Sequence, residues 1–169
     1  LGAAYDHYDD KYQDVVRTGL EWLIEHQRDN GDLYQPGDSG SNQVVRVYSH
    51  AIATIALCEA YGMTGDERLK KPAQKAVDFI VKTQNRQFGG WRYSPSPESA
   101  AYASDTSVSG WMVMALRSAE LAKLDVPQKT YDAVEKWLTL AQTNGGARYA
   151  YNPNAADTFQ ERHGRQASA

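Results

Sequence analysis

The chain has 169 residues, a formal net charge of −3 and a single cysteine, Cys58. This length favours one domain with a substantial core, and a lone cysteine excludes both an internal disulfide and a cysteine-based zinc cluster. The slightly acidic balance disfavours nucleic acid as a partner, because a sequence-independent binder presents a basic face. No apolar run approaches the roughly 20 residues that a membrane-spanning helix needs.

The first two predicted helices differ in character. The first is amphipathic and ends near Gln27, with an apolar stripe formed by Val16, Leu20 and Ile24. Its spacing is that of a helix with one buried face. The second, over residues 49–61, is apolar almost all round, which indicates a helix buried on every side.

The same alternation continues along the chain. A second amphipathic segment follows, with Pro72 suited to its first turn, and then a second apolar helix over residues 106–121. A third amphipathic segment ends near Gln142, and Pro127 is likewise suited to its first turn. The order predicts an all-α fold of αα-hairpins, in which charged outer helices alternate with buried inner ones.

A short motif marks the end of each amphipathic helix: an aromatic residue, a glutamine five positions later, and a glycine soon after. Gln84 follows Gln27 by 57 positions, and Gln142 follows Gln84 by 58. The motif residues are Trp22, Gln27 and Gly31 in the first copy, Phe79, Gln84, Gly89 and Trp91 in the second, and Trp137, Gln142 and Gly145 in the third. A fixed period of this size predicts one structural unit stacked on copies of itself.

We interpret the motif as structural rather than catalytic. The glutamine amide can satisfy carbonyls at the helix end or on a neighbouring helix, and the glycine permits the backbone that ends the helix.

The period predicts one repeat domain over residues 1–154, with repeats at about 11–46, 47–104 and 105–154. Residues 155–169 are polar and aperiodic, which predicts a tail that is partly disordered or begins a missing hairpin. The hairpins would then form an incomplete ring. An uncovered helix layer would remain, and we expect a partner or self-association there.

The segment from Phe79 to Trp91 resembles the QW motif of the terpenoid cyclases, the squalene–hopene and oxidosqualene cyclase family. The resemblance extends over about residues 14–151, although Leu33 and Ala147 stand where the second copy has Trp91. It implies an α/α toroid, in which inner helices line a central cavity, and protein prenyltransferase β-subunits share that architecture. It also implies an apolar, isoprenoid-like ligand.

Asp105 is the first candidate catalytic residue. Hopene cyclases carry Asp-x-Asp-Asp-Thr at the corresponding place, and its middle Asp protonates the polyene. Aligned on Asp105 and Thr106, this chain has Ser104 at the middle position and Tyr102 at the first. The resemblance therefore implies that the proton donor is absent. The alternative role for Asp105 is to cap the N-terminus of the following helix.

His50 is the second candidate, as an acid, a base or a ligand near the start of the first inner helix, with a structural histidine as the alternative. Tyr48, Tyr102, Trp111 and Met112 could line an apolar pocket or belong to the core. No His, Asp or Cys set has zinc-ligand spacing, so we expect neither a metal nor another cofactor.

These features favour a non-catalytic module that binds a lipid or a protein, because the cyclase acid motif is degraded. Two alternatives remain. One is a fragment of a terpenoid cyclase-type enzyme. The other is a polysaccharide lyase or glycosidase on an α/α toroid, although no clear carboxylate pair supports it.

Overall fold

The computed structural model describes residues 5–8, 11–35, 46–95 and 104–152. The predicted all-α character is confirmed over this part of the chain. Its helices are α1 (Gln13–Glu25), α2 (Arg46–Thr64), α3 (Glu67–Thr83), α4 (Thr106–Leu121) and α5 (Gln128–Ala141). Two short antiparallel strands follow, β1 (Gln142–Thr143) and β2 (Arg148–Tyr149).

The start of α3 differs from the prediction. Pro72 lies inside the helix rather than in its first turn. The helix begins earlier because Asp66 caps it, with a carboxylate oxygen accepting a hydrogen bond from the Arg68 backbone N–H at 3.0 Å. This cap satisfies one of the N–H groups that a helix start leaves unpaired.

The two inner helices, α2 and α4, run side by side in the same direction. Near their first turns the Tyr48 hydroxyl lies 2.8 Å from Ser107 Oγ. Near their last turns a Cβ on Gly62 would stand 3.1 Å from Ala122 Cβ. Helix α3 packs on both of them, and the shared core includes Leu57, Ile80 and Leu116.

The prediction that the inner helices are buried on every side is wrong. Ile52 in α2 and Trp111 in α4 are 49 % and 37 % exposed, and Met114 and Leu121 are exposed too. Each inner helix therefore keeps one side open, whereas its remaining sides supply most of the core.

The predicted loop after α5 contains the two strands. Asn144, Gly145 and Gly146 all have positive φ, which turns the chain back on itself and allows Gln142 to pair with Tyr149. None of the described helices is both long enough and apolar enough to cross a membrane.

Candidate functional site

The first copy of the motif connects α1 to α3. Gln27 Nε2 donates to the carbonyl of its own Gly31 at 3.3 Å and to the carbonyl of Pro72 at 2.9 Å. Gly31 has φ +93°, and a Cβ there would stand 2.1 Å from the Lys75 carbonyl oxygen. The glutamine thus ties two helices together, and only glycine lets them approach this closely. We call this set the first inter-repeat contact.

The second copy repeats this geometry between α3 and α5. Gln84 Nε2 donates to the Gly89 carbonyl at 2.6 Å and to the Thr130 carbonyl at 3.0 Å. Gly89 has φ +89°, and a Cβ there would stand 1.9 Å from the Ala133 carbonyl oxygen. We call this set the second inter-repeat contact.

The two contacts use equivalent positions on the receiving helices. Thr130 follows Pro72 by 58 positions, and Ala133 follows Lys75 by 58. The sequence period is therefore also a period in space: each outer helix is joined to the next by the same hydrogen bonds and the same close approach. The sequence could not predict that the glutamines bind the carbonyls of Pro72 and Thr130, because every residue type has the same backbone carbonyl.

Trp91 closes the second copy. Its indole N–H donates to the Ile80 carbonyl at 2.9 Å, and its ring is buried. In the first copy Leu33 occupies this place and is also buried. An apolar side chain, rather than tryptophan itself, is what both repeats have in common at this position.

The third copy has the motif without a receiving helix in the described part of the chain. Gln142 is exposed, and its side chain makes no hydrogen bond to a described residue. Gly146, with φ +91°, adopts the backbone of Gly31 and Gly89, whereas the predicted Gly145 has φ +64°. The third motif thus shares the glycine φ of the other copies, but it differs from them in that Asn144 and Gly145 also have positive φ and Gln142 donates to no described carbonyl.

His50 is fully buried, and both of its ring nitrogens are engaged. Nδ1 accepts a hydrogen bond from the Leu33 backbone N–H at 3.1 Å, so the proton resides on Nε2, which donates to the Ala76 carbonyl at 3.2 Å. Burial lowers the pKa of His50 to about 4, and the nearby Asp32 carboxylate opposes this shift only in part.

The second repeat explains why this histidine is there. Ser109 follows His50 by 59 positions, and its Oγ accepts from the backbone N–H of Trp91 at 3.0 Å. Trp91 is itself the counterpart of Leu33. His50 and Ser109 therefore accept hydrogen bonds from backbone N–H groups at equivalent positions of the first and second motifs. This bond gives His50 a structural role, which a serine performs in the second repeat.

A testable consequence is the pH dependence of stability. Because the pKa of His50 falls from 6.5 to about 4 on folding, the unfolded chain binds more protons between these values. We expect stability to fall as pH drops from about 6.5 to about 4. His50→Asn, which keeps an acceptor for Leu33, should flatten this part of the curve. Urea unfolding at a series of pH values measures it, and identical curves for both proteins would contradict it.

A buried ion pair adjoins His50. Asp32 is fully buried, and Oδ2 accepts from Nε of Arg46 at 3.1 Å. The second repeat has a pair with the charges reversed: Arg92 in the loop donates to Asp105 before α4 at 3.3 Å. Neither pair was predicted, because the only signal for them in the sequence is opposite charges on either side of each loop.

Asp105 does not cap α4 with its side chain. It occupies the residue before the helix, but its carboxylate makes no hydrogen bond to the first backbone N–H groups. Its two oxygens accept instead from Arg92 and from Asn152 Nδ2, both at 3.3 Å. Through these two hydrogen bonds the buried carboxylate joins the start of α4 to the flanking loops.

A tyrosine cluster lies at the same end of the inner helices. The Tyr48 ring is 5.8 Å from the Tyr93 ring, and the Tyr93 hydroxyl is hydrogen-bonded to that of Tyr151. Tyr151 follows Tyr93 by 58 positions, so the cluster combines equivalent loop residues of two repeats. Burial raises the pKa of Tyr48.

The predicted pocket residues separate. Trp111 lies on the open side of α4, whereas Met112, the next residue along the helix, lies in the core. Tyr102 is outside the described residues. A cavity of about 250 Å³ opens elsewhere, between α1 and the start of α3, and is lined by Leu20, Ile24 and Leu69 among others.

Within the described ranges no three His, Cys, Asp or Glu side chains are placed to hold a metal ion. Comparison of the chain with protein-family models, curated proteins and solved structures finds no match.

Proposed function

We propose that the chain is a segment of a squalene cyclase/prenyltransferase-like α/α toroid and acts as a non-catalytic module that binds an apolar, isoprenoid-like ligand. The observation that supports this proposal most directly is the open side of the inner helices. Ile52 and Trp111 occupy equivalent positions, 59 apart, and both are exposed. Apolar side chains repeated on parallel helices form a surface that is stabilised when an apolar molecule covers it.

The state of the candidate acid and base supports binding rather than catalysis. The Asp105 carboxylate already accepts from Arg92 and Asn152, and both nitrogens of His50 are bonded to backbone groups. Protonation of an alkene requires an acid that can give up its proton to the substrate. Neither residue offers one without first breaking these bonds.

The toroid is supported by the two inter-repeat contacts. Each joins successive outer helices through equivalent residues, so each repeat is rotated and shifted relative to the last by a similar step. A constant step generates a curved array whose inner helices share one side. In this proposal Ile52 and Trp111 face the central space.

The test is to measure the binding of farnesol by equilibrium dialysis over a series of farnesol concentrations. We expect saturable binding, and we expect Trp111→Ala to weaken it roughly tenfold, because the indole loses its apolar contact with the ligand. Trp22→Ala, which removes a comparably exposed indole from α1, is the matched control and should bind normally. Absence of binding by the native chain would refute the proposal, as would turnover of squalene or of a prenyl diphosphate.

A further inference from the structure

The two ends of the repeat array carry unmatched halves of the inter-repeat contact. At one end is the third motif, in which Gln142 is exposed and Gly146 has φ +91°, close to the φ of Gly31 and Gly89. Among the described residues, a Cβ on Gly146 would meet only the side chain of Gln142, at 3.7 Å. In the other two motifs the corresponding glutamine and glycine are both covered by the next outer helix.

At the other end is α1, which no described motif covers. The period makes Val15 the counterpart of Pro72, and Trp22 that of Phe79. Phe79 is 5 % exposed, and the first motif lies against it, with a Cβ on Gly31 only 3.4 Å from Phe79 Cβ. Trp22 is 46 % exposed and Val15 is 76 % exposed.

We propose that a second copy of this chain docks the outer side of its α1 on the third motif, head to tail. Gln142 would donate to the carbonyl of Val15 in the second copy, as Gln27 does to Pro72. Gly146 would admit the carbonyl of Thr18, the counterpart of Lys75 and Ala133. Trp22 would be covered as Phe79 is.

The occupant is argued from the covered contacts inside the chain. They show that this motif binds the N-terminal half of an amphipathic helix, on the side that carries the Pro72 position. Among the described helices only α1 has that side uncovered. Because the two halves differ, the interface is heterologous and extends into a ring or a filament rather than a two-fold dimer. This inference stands apart from ligand binding.

The experiment is sedimentation velocity on the full chain, between about 1 µM and 1 mM, the range in which weak interfaces form. Gln142→Glu keeps the shape of the side chain but removes its donor. Val15→Glu places a carboxylate in the contact and, in the first turn of α1, is compatible with the helix. Gln87→Glu and Met63→Glu are matched controls, exposed but outside both halves.

We expect the native chain and both controls to associate beyond the dimer, and each variant alone to associate at least tenfold more weakly. An equimolar mixture of the two variants should form a dimer of twice 18.8 kDa, because the mixture retains one intact half of each kind. Circular dichroism confirms that each variant is folded. A native chain that stays monomeric, or a mixture no larger than its components, would overturn the proposal. Association of native chain and variants alike would do so too.

Discussion

Replacing Gly89 by alanine is expected to lower the free energy of unfolding by roughly 3–5 kcal/mol, or to prevent folding altogether. The added Cβ would lie 1.9 Å from the Ala133 carbonyl oxygen, and that atom belongs to the backbone of α5 and cannot rotate aside. The φ of +89° adds the strain that any L side chain has in this region. Denaturant unfolding, followed by circular dichroism, measures the loss.

Gly145→Ala is the matched control for this substitution. Gly145 also has positive φ, but no heavy atom of the described residues lies within 4 Å of its would-be Cβ. We therefore expect a loss of only about 1 kcal/mol, from backbone strain alone. Equal losses in the two variants would show that the approach of Gly89 to α5 is not what requires a glycine there.

Gln84→Glu is expected to cost roughly 2–4 kcal/mol at neutral pH. The amide of Gln84 donates to two carbonyl oxygens, those of Gly89 and Thr130. A carboxylate of the same shape has no proton to donate, so two carbonyls would face a negative charge in a half-buried site.

The cost of Gln84→Glu should depend on pH in a defined sense. The charged form is disfavoured only in the folded state, so the pKa of the new carboxyl is raised above its unfolded value of about 4.3. The loss of unfolding free energy relative to the native chain should therefore be small below about pH 4 and should grow as the pH rises above that value.

The same substitution in the third motif is the control. Gln142 is exposed and lacks a receiving helix among the described residues, so at low protein concentration Gln142→Glu should change the unfolding free energy by less than about 0.5 kcal/mol. A deficit in Gln84→Glu that is independent of pH, or one that Gln142→Glu reproduces, would contradict the role given to the glutamine.

Much of the fold could be predicted from local patterns. The bounds of α4 coincide with the predicted apolar run, and the other helices lie where apolar spacing placed them. The prediction was wrong where local rules compete, as at Pro72: the cap at Asp66 starts α3 earlier and so places this proline inside the helix.

The candidate site was less predictable, because its chemistry depends on what surrounds each side chain. His50 and Asp105 have the residue types of an acid–base pair, but burial and bonding partners from distant positions give them structural roles. The counterpart of His50 is Ser109, a different residue type, so no sequence motif announces the shared hydrogen bond to the backbone.

The sequence by itself determined the helices, their alternation and the period of the motif, because these follow from interactions between residues close in the chain. Only the tertiary structure decided which carbonyls Gln27 and Gln84 bind, how closely Gly31 and Gly89 approach the next helix, and which side of α4 stays open. The first two properties depend on backbone atoms brought together from about 45 positions away, and backbone atoms are the same for every residue type. The third depends on which elements pack around α4.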